Sequence, residues 1–408
     1  MKKKPEGFNF FYTTRLLSVL FDSLTGPFWV VYFYNLGIDA VGISLMLMAN
    51  HIAITVFEIP TGAVADFLGR KTSVFLSLLL SGITFTGIYF TDNFIFILLL
   101  YSLCGVAATF MSGAFHAWFV DSMQKAGEED LTEWWGHLTS GRQIGSILGY
   151  LIGSGLTWLF GIRILWIISG IGSLILAFYV LSKGKEINIS VANKSSFKKY
   201  CNIVLEGTTY LFKRKLLFIL IFSSFVWFIS TGIFALTWQP YFKEQEIDPK
   251  YFGIIMTVYM CISIPILKKA GALSRKAKGE LTIIQIIGVL SGVITVTMVF
   301  VNKLAWIPYI LYGAVYSLKD PIFQGYINKL IPSSVRSTVL STYNLLISLA
   351  TIVSSIIFGI VGKYFGFKAL FISSAVVCLL MVLIVGYAKT VEKNQVANTV
   401  EERTIENG

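Results

Sequence analysis

Apolar positions along this chain fall in blocks of about twenty residues, and short polar or basic stretches separate the blocks. A helix crosses about 30 Å of hydrocarbon with roughly 20 apolar residues, so the blocks predict membrane-spanning helices. Twelve are legible. Six run from about Phe8 to Tyr34, Val41 to Ala65, Ser73 to Phe90, Phe94 to Val120, Gly136 to Phe160 and Ile164 to Leu181. Six more run from Leu216 to Tyr241, Tyr251 to Leu267, Leu281 to Val301, Leu304 to Asn328, Val339 to Val361 and Ala369 to Tyr387. Most connections are short, so neighbouring spans run antiparallel. The pattern predicts an all-α polytopic membrane protein with twelve transmembrane helices in two pseudo-symmetric six-helix halves. These are residues 1–182 and 216–390, with a central loop at 183–215 and a polar tail at 391–408.

Composition narrows the class. Of 408 residues, 55% are apolar and only 13% are charged, about half the quarter typical of a soluble chain. A soluble fold of this length could not hide so much apolar surface. An ordinary cytosolic enzyme is excluded, and no nucleic-acid partner is expected despite a net charge of +11. The basic residues carry topology instead. With both termini cytoplasmic, inward loops and tails hold 24 Lys and Arg, outward loops hold six and the spans hold three. That bias follows the positive-inside rule and implies a multi-pass protein of the cell membrane in contact with the lipid bilayer. In the central loop, apolar residues from Phe197 to Phe212 recur among lysines and arginines, which predicts a basic amphipathic helix on the inner leaflet. The four cysteines and three histidines show no metal-site spacing, so neither a metal nor a cofactor is expected.

Between the second and third blocks stands Gly62-Ala63-Val64-Ala65-Asp66-Phe67-Leu68-Gly69-Arg70-Lys71. It resembles the signature loop of the major facilitator superfamily, with Phe67 standing where the pattern usually has a basic residue. The resemblance implies the major facilitator fold and a conformational latch at Gly62, Asp66, Gly69, Arg70 and Lys71. Physically, Gly62 allows helices to approach closely. Asp66 can accept N–H bonds at another helix N-terminus, and Gly69 permits a tight turn. A worn copy, Gly271-Ala272-Leu273-Ser274-Arg275-Lys276, begins 209 residues after Gly62 and supports an internal repeat.

Ionisable groups inside spans are costly and are functional candidates by default. Span one holds Arg15 and Asp22; span two holds His51 and Glu58. Their depths suggest a two-rung ladder, Arg15 with Glu58 and Asp22 with His51. Either these are proton-coupling residues, or they form fixed ion pairs that hold the helices. Asp121, Arg142 and Arg70 are candidates for an inner gate, with His116 nearby. In the second half Trp227, Trp238, Gln239, Lys319, Asp320 and Gln324 are candidates to line a cavity. Span five carries Gly141, Gly145, Gly149 and Gly153, a glycine on every fourth position of one face.

Together these features favour a secondary transporter, expected to be monomeric, that exports small organic molecules in exchange for protons and has no enzymatic activity. An uptake permease working by proton symport is the main alternative, and a dense set of polar or basic residues in the cavity would favour it. A lipid flippase on the same scaffold is a further alternative. An intramembrane enzyme would need a convergent nucleophile and base, and none is visible.

Overall fold

The computed structural model describes residues 4–128, 130–186, 209–276, 279–332 and 335–406. Among the described residues the secondary structure is helical, without strands. In chain order the helices are α1 (Phe8–Thr25), α2 (Trp29–Asn35), α3 (Ala40–Leu68), α4 (Arg70–Phe90), α5 (Phe94–Lys125), α6 (Thr132–Phe160) and α7 (Ile164–Lys183). Then follow α8 (Lys215–Glu244), α9 (Phe252–Lys268), α10 (Ala270–Lys276), α11 (Glu280–Thr297), α12 (Trp306–Leu330) and α13 (Arg336–Glu406). In lipid every backbone N–H and C=O must be satisfied within the segment, which is why blocks of this length become helices.

Among the described residues, ten stretches are long and apolar enough to cross a membrane. One, Thr338–Gln395, is 58 residues long and is broken at Gly366, whose φ of 78° leaves the helical region; it makes two spans. The 25-residue α12 also has the length to cross but carries Lys319, Asp320 and Lys329. The twelve-helix pattern therefore stands, with one local difference. The first span is two helices, because Pro27 lacks an N–H and its ring clashes with the preceding turn; Phe28 leaves helical geometry at φ −124°, ψ −14°.

The chain divides into two compact units. One gathers the described residues of Met1–Phe197 together with Ile247–Thr257; the other gathers those of Lys198–Glu246 and Val258–Gly408. The amphipathic stretch expected from Phe197 to Phe212 lies largely outside the described residues; residues 209–213 are helical.

Within the first unit, α1 packs on α6 and α7, α3 on α5, and α4 on both α5 and α7. The glycine face of α6 explains the first contact. A Cβ at Gly145 would sit 2.5 Å from the Leu16 carbonyl oxygen, at Gly149 2.6 Å from that of Leu20, and at Gly153 2.7 Å from that of Leu24. Four-residue steps on α6 thus match four-residue steps on α1, and the two backbones touch. Phe8, Phe11, Phe115, Trp118, Phe119 and Trp134 are each at most 3% exposed and fill the core where α1, α5 and α6 meet.

In the second unit, α8 packs along α13. Ser230 Oγ on α8 donates to the Ser374 carbonyl on α13 at 2.8 Å. The repeat seen in the sequence has a backbone echo, since Gly69 (φ 95°) precedes α4 and Gly279 (φ 130°) precedes α11.

Candidate functional site

The signature loop is built around a carboxylate that the sequence reading missed. The N-terminus of α4 is capped by Glu186, just past α7: the Arg70 N–H donates to Glu186 Oε1 at 3.0 Å and the Lys71 N–H to Glu186 Oε2 at 3.1 Å. A negative charge suits a helix N-terminus, where the macrodipole and unpaired N–H groups converge. Asp66, expected to accept such bonds, is exposed and has no hydrogen bond or ion pair within the described residues. The signal for Glu186 was an acid among the basic residues that follow span six. Gly69 stands at the turn between α3 and α4. Its φ is 95°, and an added Cβ would meet the Glu186 carboxylate at 2.5 to 2.9 Å. Gly62 does not have the packing role expected, because a Cβ there would meet nothing within 4 Å.

Arg70 also reaches across to α5, where Nη1 pairs with Asp121 Oδ2. This joins two of the three gate candidates. Arg142 is exposed on α6 and forms no ion pair with them. Its Coulombic neighbours include Arg15, His116 and Tyr150.

The two-rung ladder is not formed. The α1 helix lies against α6 and α7, whereas α3 lies against α5. Spans adjacent in sequence are here not adjacent along their length, so Arg15 cannot meet Glu58, nor Asp22 His51. Glu58 is exposed on α3. His51 is half-buried, and its Nδ1 has no hydrogen-bond partner.

What α1 offers instead is a cavity of about 390 Å³ inside the first unit. Arg15 and Asp22 both open onto it, two helical turns apart. Ser18, Ser77, Ser81 and Ser112 line it, the hydroxyls of Ser18, Ser77 and Ser112 donating to the backbone carbonyls of Arg15, Ala107 and Thr109, and Leu78, Phe85, Met111, Trp29 and Trp166 supply apolar surface. The other titratable groups on its wall are Tyr101 and Cys104 of α5. Asp22 is accessible through the cavity, and its carboxylate has no hydrogen bond or ion pair among the described residues. Arg15 lies over the Phe115 ring, 5.9 Å from its centroid, and also lacks an ion-pair partner among the described residues. A carboxylate and a guanidinium share one cavity, within electrostatic reach of each other but not in ion-pair contact. Both are free to exchange partners with a proton or a solute.

The second unit holds a different arrangement. Lys319 of α12 is 1% exposed, and its Nζ donates to Ser224 Oγ at 2.5 Å. It lies 3.4 Å from Asp320 Oδ1, 4.2 Å from the Phe323 centroid and 5.0 Å from that of Phe228. An ammonium in a dry aromatic box gains cation–π stabilisation of order 2 kcal/mol. Asp320 is 44% exposed and Gln324 is half-buried. Trp227, Trp238 and Gln239, expected to line a cavity, are instead 0%, 4% and 2% exposed and belong to the packed interior. Their helix, α8, is enclosed on most faces, which apolar content alone did not foretell.

Lys319→Met is expected to lower the melting temperature by a few degrees. It leaves the Asp320 carboxylate without its cation, a cost discounted by its exposure. The double variant Lys319→Met/Asp320→Asn should recover most of the loss, as read by thermal melting in detergent.

Comparisons with known proteins bear on the whole chain. A family model described as Major Facilitator Superfamily matches residues 11–355 and 309–406. An uncharacterized MFS-type transporter of Bacillus subtilis (strain 168), YxaM, is 23% identical over 400 residues, covering 96% of this chain and 98% of that protein. Among solved structures, the nucleoside transporter NupG superposes with a TM-score of 0.78 at 16% identity, covering 93% of this chain and 99% of that one. The POT family transporter PepTSo superposes with a TM-score of 0.72 at 10% identity, covering 97% and 99%.

Proposed function

We propose that this chain, which belongs to the major facilitator superfamily, takes up a small amphipathic organic molecule together with protons by alternating access. That it is a membrane transporter of small molecules follows from the family. Proton coupling, solute class and direction are our reading, as is an orientation in the cell membrane with both termini cytoplasmic. The observation that carries it is the cavity in which Arg15 and Asp22, without an ion pair among the described residues, stand among four serines. The polar end of the solute engages Arg15 and the Ser81 hydroxyl, while its apolar body lies on Leu78, Met111 and Phe85. A proton on Asp22 removes a negative charge from the cavity.

The sequence favours export, and this lining favours uptake, because basic and hydroxyl groups suit a polar metabolite better than a lipophilic drug. The Arg70–Asp121 pair and the Glu186 cap are where the helix ends must loosen as the carrier changes conformation.

One observation supports export in exchange for protons as a second reading. An accessible Asp22 carboxylate would attract a cationic compound and lose it on protonation. Transport of a compound panel in right-side-out and everted vesicles, with and without a proton gradient, separates the two. Uptake gives inward accumulation driven by protons entering with the solute. Outward movement against entering protons would replace it with export, and flux indifferent to the gradient would refute both.

A further inference from the structure

We propose that the first unit binds the carboxylate of an organic acid between Arg15 of α1, Arg142 of α6 and His116 of α5. The proposal rests on the uptake reading and names its substrate class.

The three groups lie within electrostatic reach of one another, and the packing shows why. Arg15 lies over the ring of Phe115, the residue before His116. His116 stacks edge-on against Trp135 at 5.3 Å. Arg142 follows Trp135 by seven positions, two turns along the same face of α6. From the helix ends on that side of the unit, the three lie seven, nine and ten residues in. At 1.5 Å per residue this is a common depth of about 10–15 Å. Arg15 and Arg142 repel one another, and both act on His116.

The acids packed nearby are engaged elsewhere. Asp121 pairs with Arg70, Glu133 faces His137 at 3.9 Å, and Glu128 accepts from Trp134 Nε1 at 3.0 Å. Asp22 is about 10 Å along α1 from Arg15 and forms no ion pair with it. Two guanidiniums at membrane depth with no carboxylate in ion-pair contact among the described residues, Asp22 acting on Arg15 only at a distance, are costly to hold, and a planar carboxylate is the group their forked donors fit. Leu78, Ala108 and Met111 on the cavity wall take the apolar body of such an acid. Asp22 explains why a proton would accompany it, since an anion entering this cavity is repelled until Asp22 is neutral.

The test uses three probes of one shape, naphthoate, naphthylmethanol and naphthylmethylamine, titrated against the purified full-length protein. Naphthoate is expected to bind at least about 10-fold more tightly than the amine. Arg15→Gln and Arg142→Gln should each weaken naphthoate at least about 10-fold, as expected for loss of a charge-assisted contact. Binding of the alcohol should not change. Arg15→Lys and Arg142→Lys, which keep the charge, should recover part of the affinity, and this separates a binding role from loss of fold. Equal affinity for all three probes, no naphthoate binding, or full naphthoate affinity in both Gln variants would overturn the site. Proton-driven flux of the alcohol or amine alone would refute the anion site and leave uptake standing. Naphthoate binding without proton-driven flux would uphold the site and refute uptake.

Discussion

Asp22→Asn is expected to cut net proton-driven accumulation at least about 10-fold while sparing solute exchange across the membrane. The carboxylate has no hydrogen bond or ion pair to lose among the described residues. The one local bond here, Thr25 Oγ1 to the Asp22 carbonyl at 3.1 Å, involves the backbone and survives. The variant should therefore fold and melt as the parent does. What it removes is the exchangeable proton, and a carrier whose coupling group cannot titrate still shuttles solute but cannot tie it to protons. Counterflow of labelled solute, measured beside net uptake, reads the split. Glu58→Gln serves as the control. Glu58 is exposed on α3, outside the cavity, so proton-driven uptake should persist. Equal loss in both variants would assign the effect to general disruption and remove Asp22 from its role.

Gly145→Ala/Gly149→Ala is expected to destabilise the first unit by about 2 kcal/mol net, lowering its melting temperature by about 5 °C or more. Helix propensity alone has the opposite sign, since alanine is favoured over glycine by about 1 kcal/mol at an exposed helical site. Here each new methyl would stand 2.5 or 2.6 Å from a backbone carbonyl oxygen of α1. A backbone cannot swing aside as a flexible side chain can, and overpacking costs about 1–3 kcal/mol per site. Gly155→Ala on the same helix is the matched control. A Cβ at Gly155 meets nothing within 4 Å, so that change should be neutral or slightly stabilising. A double variant as stable as the control would show that α1 and α6 do not touch as described. The same crossing carries Arg15 and Arg142, so transport should fall with stability.

Much of this architecture was legible in the chain, for specific reasons. Bilayer thickness sets helix length, so the twelve apolar blocks translate directly into helices. The glycines of α6 stood out by their spacing, and the turn at Gly69 by its place between two spans. What no one-dimensional pattern carries is which helices are neighbours. Arg15 and Glu58 have matching depths, yet α1 lies on α6 and α7, and the expected ladder never forms. Trp227 and Trp238 look like cavity walls in a string of aromatics, and the packing of α8 buries both. Glu186 sits in a short polar stretch, 116 residues from Arg70, and only the fold brings it to the start of α4. Asp22 and Arg15 were found because charge is so sparse within the spans. That they share a cavity without pairing required coordinates.

If an organic acid and a proton enter together through the cavity of Arg15 and Asp22, as proposed, naphthoate must carry protons inward. Proton entry into proteoliposomes on adding naphthoate, read by a trapped pH-sensitive dye above the background of protein-free liposomes, tests it most directly. Interior acidification with the parent protein and none with Asp22→Asn is the expected result; equal acidification by both, or none with the parent, would rule out proton-coupled entry of the acid by this route.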